Sequence, residues 1–357
     1  FEDIMAIDTN HEQFSSAHGI VLGPAVDAEL PPDALDLQMF IAMDPPVHDV
    51  QRATVAPVVA PTNLKVLQGT IRERAGRILD SLPLEEEFDW VDLVSIELTT
   101  QMLATLFDFP FEERRKLTRW SDVATAGPES GLVESEDQRR QELLECLEYF
   151  TRLFHERQGK EGNDLVSMLA NGEATKNMQP FEFLGNLVLL IVGGNDTTRN
   201  SISGGVLALN EHPAEYAKLR ENPKIIPNMV SEIIRWQTPL AYMRRTANED
   251  VQVRDKVIKK NDQVLMWYVS GNRDEDVIDR ANEFLIDRAK ARHHLSFGFG
   301  IHRCMGNRLA EMQLRILWEE ILERFEKVEV VGEPERTYSS FVHGYRSLPV
   351  VVHPKAA

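Results

Sequence analysis

The stretch from 180 to 211 carries "NLVLLIVGGNDTTRNS" at its centre, apolar on nearly every side of a helix. Such a helix would be about 48 Å long at 1.5 Å per residue. A helix without a polar face runs through a core rather than on it. Two glycines, Gly193 and Gly194, interrupt the apolar run. Each costs a mid-helix position about 1 kcal/mol relative to alanine. The pair therefore marks a kink, a close helix contact, or a place where something must press against the backbone.

Helical periodicity dominates the rest. Leu64, Leu67, Ile71, Ala75, Ile78 and Leu82 form one apolar stripe. Further helices are predicted at about 90–107, 112–125, 135–157 and 225–237, and from near Cys304 to about Phe325. The first residues, "FEDIMAIDTNHEQF", already read as amphipathic helix, so the chain is expected to start inside a fold. Short β signals stand at "VQVR", "VIKK", "VLMWYV" and "VEVV", with a C-terminal strand pair in "YSSFV" and "LPVVV". The stretch 271–303 has turn residues and little period. With no repeat or linker, residues 1–357 are expected to form one mainly α domain with a small β portion.

Charge and cysteine content narrow the function. The net charge of −18 repels nucleic acid and anionic lipid. The longest apolar run, Leu187 to Val192, is far short of the roughly 20 residues that cross a bilayer. Two cysteines make no disulfide framework and fit a reducing cytoplasm. Cys146 sits in "ELLECLEYF" and reads as a core residue. Cys304 sits in "FGFGIHRCMG", among three glycines and two phenylalanines, just before a strong helix. A metal-binding thiolate wants such a site: glycines bring backbone N–H groups close, and the helix dipole favours its charge. The plainer alternative is a buried structural cysteine in a turn.

The spacing Phe-x-x-Gly-x-x-x-Cys-x-Gly before a helix resembles the haem-binding loop of the cytochromes P450, the haem-thiolate monooxygenases. Three further segments resemble the family in order. Glu232-Ile233-Ile234-Arg235 is similar to its Glu-x-x-Arg helix, "GNRDEDVID" to its Asn-Arg-Asp segment, and Gly193-Gly194-Asn195-Asp196-Thr197-Thr198 to its oxygen-activating helix. The resemblance covers essentially the whole chain. It implies the single-domain cytochrome P450 fold, without an N-terminal segment that the superfamily usually carries. It also implies haem b (iron protoporphyrin IX) with Cys304 as the axial iron ligand, a loop shaped by Phe297, Gly298 and Gly306, and Gly193 and Gly194 against the cofactor. His48, Arg52, Arg245 and His302 are the implied propionate partners, with Arg244 a rival to Arg245. His293 and His294 are taken as structural, and Glu232 with Arg235 as a structural pair. Asp196 and Thr197 are the implied proton-delivery residues, with the Thr197 hydroxyl bonded back to the Gly193 carbonyl.

"IVGGNDTTRNSISGG", "MFIAMDPPVHDVQR" and "HLSFGFGIHRCMGNRLAEMQLRILWEEIL" are similar to the bacterial terminal hydroxylases of medium-chain alkanes and fatty acids. This implies insertion of one oxygen atom from dioxygen at a terminal carbon. Groups that oxidise sterol side chains or other lipids share "GGNDTTRN" and remain the alternative, and a non-catalytic haem sensor is opposed by intact Asp196 and Thr197. Leu189, Val192, Gly193 and Gly194 are the implied substrate wall. Ile41, Met43, Leu240, Ala241 and Phe341 are further candidates, each with plain core packing as the alternative. The sequence has no flavin or iron–sulfur motif, so electrons from NAD(P)H are expected through a ferredoxin and its reductase. Arg72, Arg74, Arg77, Arg303 and Arg308 are candidates for a docking patch on a cytoplasmic monomer.

Overall fold

A computed structural model describes residues 1–26, 28–29, 35–125 and 130–355. Its axis is the helix α8, Pro180–Glu211, unbroken through both mid-helix glycines. The other helices in chain order are α1 (Glu2–Thr9), α2 (Val47–Val55), α3 (Pro61–Asp80), α4 (Glu97–Phe107), α5 (Arg115–Thr125), α6 (Glu136–Arg157), α7 (Leu165–Asn171), α9 (Pro213–Glu221), α10 (Ile226–Gln237), the short α11 (Tyr268–Gly271) and α12 (Asn307–Arg324). Helix α8 packs against α4, α5, α10 and α12, as its all-round apolar sequence demands. Where it turns polar side chains inward, they are matched. Asn195 accepts from the Thr99 hydroxyl at 2.8 Å, and Ser203 meets Ser95 at 2.8 Å. These two buried polar groups thus keep partners, which avoids the penalty of an unmade hydrogen bond.

The predicted helices appear within a few residues of their expected ends. The range 90–107 begins as a π-helical turn, Val91–Ile96, before α4. Helix α12 starts at Asn307, not at Cys304, because a 3-10 turn, Gly300–His302, and the cap at Gly306 intervene. Helices α7, α9 and α11 escaped the periodicity reading, being too short for a period to show, and α11 takes the end of the strand expected over "VLMWYV". Helix α7 is set by its cap: Asp164 accepts from the Ser167 N–H at 2.9 Å.

Among the described residues the β portion is four small sheets. The strands β1 (Phe14–Ser15), β3 (Met243–Ala247) and β6 (Gln263–Met266) pair in that order. So do β2 (Phe88–Asp89), β10 (Pro349–Pro354) and β7 (Phe325–Val330), while β4 (Val251–Val253) pairs with β5 (Lys256–Ile258), and β8 (Glu335–Arg336) with β9 (Tyr345–Ser347). The expected pairing of "YSSFV" with "LPVVV" is corrected. Strand β10 spends its two edges on β2 and β7, and the former segment makes only an isolated bridge, Leu240 to Val342.

The aperiodic stretch 271–303 is held by side chains instead of a backbone ladder. Glu232 and Arg235, one turn apart on α10, form a fully buried ion pair at 2.7 Å. Arg235 donates to the carbonyls of Asn272 at 2.7 Å, Ala281 at 2.8 Å and Glu283 at 3.0 Å. Glu232 accepts from the Leu285 N–H at 2.9 Å and from Arg288 at 2.9 Å. Arg288, which no sequence argument singled out, completes the cluster. Asn272 adds bonds to Thr238 at 2.8 Å and Ser296 at 2.9 Å.

Replacing Glu232 by glutamine keeps its volume but leaves two buried guanidinium groups without a counter-charge. Breaking a buried pair this way costs about 3–5 kcal/mol. Glu232→Gln is expected to lower the thermal unfolding midpoint sharply and cut the yield of folded protein. An unfolding midpoint equal to the parent's would remove the cluster from the account.

Candidate active site

A cavity of about 410 Å³ lies between α8, β3, α5 and the loop that carries Cys304. The loop takes its shape from glycine. Gly298 and Gly300 have φ of +64° and +66°, a region side chains rarely enter. The Cys304 N–H closes the loop onto the Phe297 carbonyl at 2.8 Å. The Cys304 thiol opens onto the cavity while protein surrounds its other sides. Burial pushes its pKa up; the backbone N–H groups of Gly306 and Asn307 and the guanidinium groups of Arg52 and Arg303 pull it down. A thiolate is therefore provided with donors but still lacks a full counter-charge. Cys146 is different: it is buried among apolar side chains, and burial first, then the nearby Glu145 charge, drives its pKa up, so it is a core residue.

Cationic and imidazole groups gather on one side of the cavity. Arg52, Arg245 and His302 line it, together with Phe297, Gly298 and Gly306. His48 stands behind, its ring 4.4 Å from that of His302. It bonds Asp49 through Nδ1 at 2.8 Å, as part of α2, where His48 and Arg52 share a face. The His48 Nε2 and both ring nitrogens of His302 are buried without a partner. Burial first, then the nearby Arg245, push the His302 pKa far down. Arg244 and Arg245 are neighbours on β3 and so point to opposite sides. Arg245 turns to the cavity, whereas Arg244 reaches the Val21 carbonyl at 3.2 Å. His294 is buried, its pKa lowered to about 4 chiefly by burial, and His293 packs on Phe1 at 4.7 Å. Neither lines the cavity.

The opposite wall is apolar. Leu189, Val192, Gly193, Gly194 and Thr197 of α8 line it, with Ile41, Leu240 and Phe341. A Cβ built on Gly193 meets no atom within 4 Å, whereas one on Gly194 comes 2.8 Å from Leu103 Cδ2. Gly193 thus faces open space, and Gly194 allows helix packing. The Thr197 hydroxyl donates to the Gly193 carbonyl at 3.0 Å.

Three expectations are corrected here. Met43 follows the 3-10 turn Phe40–Ala42 and packs into the main core, outside the cavity wall. Ala241 sits beside Leu240 in extended chain, turns the other way, and lines a separate cleft near Arg336 and His343. Of the five candidate docking arginines, Arg72 pairs with Glu319 and Glu320, Arg74 donates to the Gln101 carbonyl, and Arg77 pairs with Glu73 at 3.3 Å. Helix α3 packs on α12, whose acidic side chains claim the Arg72 charge. Arg303 and Arg308 alone of the five are exposed with no ion pair among the described residues.

Asp196 is not on the cavity wall, because one helical step turns it away from Thr197. It is buried, accepting from Ser121 at 3.0 Å and Asn195 at 3.1 Å, and it pairs with Arg199 at 3.1 Å. Arg199 also holds Asp122 at 2.9 Å. The Thr125 hydroxyl, which does line the cavity, approaches the second Asp196 oxygen at 3.3 Å. Sequence reasoning missed Thr125 and also Asp8, a buried carboxylate on the cavity wall. No spacing signal marks either.

The cavity residues fit a haem. One thiol, one open backbone strip and a cluster of arginines and partnerless imidazoles match a flat, dianionic iron ligand. The cytochrome P450 family model matches residues 99–345. The chain belongs to the cytochrome P450 family. Cytochrome P450-153 from Novosphingobium aromaticivorans superposes with a TM-score of 0.92 and 49% identity, over 99% of this chain and 88% of that one. Linalool 8-monooxygenase of Pseudomonas putida is 37% identical over 88% of this chain and 78% of that protein. The methyl-branched lipid omega-hydroxylase of Mycobacterium tuberculosis is 30% identical over 98% of this chain and 82% of that protein. As a P450, the protein is a monooxygenase with a haem-thiolate cofactor, electrons from redox partners, and dioxygen as co-substrate. No helix of the described residues is long and apolar enough to cross a membrane.

The two β3 arginines give a paired test. Arg245→Ala is expected to speed haem loss about tenfold or more, since charge-assisted hydrogen bonds carry about 1.5–3 kcal/mol. Arg244→Ala is expected to leave haem retention near that of the parent. Haem transfer to apomyoglobin measures both, and equal retention in the two variants would contradict the assignment of Arg245.

Proposed function

We propose that this P450 hydroxylates the terminal carbon of a medium-chain alkane or fatty acid. The observation that carries the proposal is the division of one cavity into a cationic side with Cys304 and an apolar side on α8. Names of relatives support attack near a chain end: one is an omega-hydroxylase of methyl-branched lipid. Linalool 8-monooxygenase favours a second reading, in which the chain is branched or terpenoid.

Cys304 would ligate the iron of haem b, with Arg52, Arg245, His302 and, behind them, His48 holding the propionates. When bound, the haem supplies dioxygen activation and insertion of one oxygen atom into a C–H bond. Selection of the carbon falls to the protein, because a terminal C–H bond is stronger than its neighbours. Leu189, Val192, Ile41, Leu240 and Phe341 exclude water and present the chain end-on. Thr197 keeps a hydroxyl proton at the cavity wall, parked on the Gly193 carbonyl. Asp196, behind it, is positioned to pass protons inward through Thr125, with Arg199 and Asp122 linking it outward. Electrons would come from NAD(P)H through a ferredoxin and its reductase, docking beside Arg303 and Arg308, in a reducing cytoplasm.

Haem spin state reads substrate binding directly. Medium-chain alkanes and their acids are expected to drive the low-to-high-spin shift and to yield terminal alcohols with a ferredoxin pair. A shift only with sterols or terpenols would move the function to the second reading. Thr197→Ala is expected to keep substrate binding while NAD(P)H consumption goes largely into hydrogen peroxide. Full coupling of NAD(P)H to alcohol in that variant would remove Thr197 from proton delivery.

A further inference from the structure

Asp8 lies on α1, remote in sequence from every family motif, yet its carboxylate joins three parts of the cavity. Its Oδ1 accepts from Arg245 Nη2 at 2.6 Å. Its Oδ2 accepts from the Tyr268 hydroxyl at 2.9 Å and from the Phe299 N–H at 2.8 Å. The backbone of Asp8 also presses on the cysteine loop. A Cβ at Gly300 would come 2.5 Å from the Asp8 carbonyl oxygen, and one at Gly298 would come 3.2 Å from its Oδ2. The strand bearing Arg245, the turn bearing Tyr268 and the loop bearing Cys304 therefore converge on one buried carboxylate.

Arg245 is not used up by this bond. A guanidinium has five N–H donors. One goes to Asp8 and one to the Arg244 carbonyl at 2.9 Å. The rest stay available on the cavity side. A simple structural ion pair would satisfy both partners away from the site; this one lies in the cavity wall beside His302 and Cys304.

We propose that Asp8 is a positioning residue for the haem: it aims the remaining Arg245 donors at a propionate and ties the Cys304 loop to the same strand, so that its charge tunes haem retention and reduction potential. The proposal rests on the haem-thiolate reading of the cavity. A buried carboxylate beside Arg245 offsets part of the positive charge felt at the cofactor, and little water intervenes to screen it. Neutralising Asp8 leaves that positive charge uncompensated, which favours the reduced, more negative haem and raises the potential. Asparagine also turns an amide donor toward Arg245, so the guanidinium loses its aim.

The test uses full-chain holo-protein carrying Asp8→Asn, Arg245→Met, both together, Tyr268→Phe or Asp8→Glu. Redox titration and haem transfer to apomyoglobin are measured, and the carbon monoxide spectrum checks the thiolate in each. Asp8→Asn is expected to raise the potential and speed haem loss about tenfold, equivalent to about 1.4 kcal/mol. In the Arg245→Met background the same change should alter haem loss less than about twofold, because the two residues act through one contact. Tyr268→Phe removes a donor from the carboxylate and should lower the potential, the opposite sign. Asp8→Glu should restore parental values. Equal effects of Asp8→Asn in both backgrounds, or a parental potential in Asp8→Asn, overturn the proposal. If Asp8→Asn yields no holo-protein, the Tyr268→Phe potential decides: a downward shift supports positioning through charge, and no shift overturns it. A parent protein without the thiolate band would instead remove the underlying haem-thiolate reading.

Discussion

A side chain at position 193 would enter the cavity onto which the Cys304 thiol opens, and much of the architecture serves to keep that space clear. Helix α8 must pass through the core to bring a bare backbone strip to the site. It can do so only if neighbouring helices cover the rest of its circumference, which α4, α5, α10 and α12 do. The price is an interior helix with polar side chains, several of which are matched in a neighbour, as with Asn195 on Thr99 and Ser203 on Ser95.

Charge is distributed by the same logic. Three buried ionic clusters are internally paired: Glu232 with Arg235 and Arg288, Asp196 with Arg199 and Asp122, and Asp8 with Arg245. Burial without pairing would be prohibitive for any of them. The imidazoles of His48 and His302 break the pattern, since His48 Nε2 and both His302 nitrogens are buried without partners. Such groups are tolerated where a ligand supplies the missing bonds. In the proposed reading, these partnerless nitrogens beside Arg52 and Arg245 are where the anionic groups of the cofactor would be held.

The sequence disclosed what is local or periodic. The α8 core helix, the α10 ion pair and the glycine-shaped loop around Cys304 could be read from spacing, and so could the Thr197 bond to the Gly193 carbonyl. What depends on tertiary placement could not. Arg244 and Arg245 are indistinguishable until β3 is known to be a strand with one face on the cavity. Arg288 and Asp8 act on partners distant in sequence, at Glu232 and Arg245, so no spacing reveals them. The segment 271–303 has no period because side chains, not ladders, hold it. The α3 arginines are spoken for by partners that no spacing shows in two cases: Arg72 by Glu319 and Glu320 of α12, and Arg74 by the Gln101 carbonyl.

The central claim is that Cys304, not an imidazole, would ligate the iron of a haem held in the cavity that Gly193 also lines. The reduced carbon monoxide spectrum of the holo-protein tests it most directly. Thiolate ligation gives a strongly red-shifted Soret band that imidazole ligation does not. The parent protein is predicted to show that band, and Cys304→His to bind haem while losing it. A band that persists in Cys304→His, with haem still bound, would contradict the account.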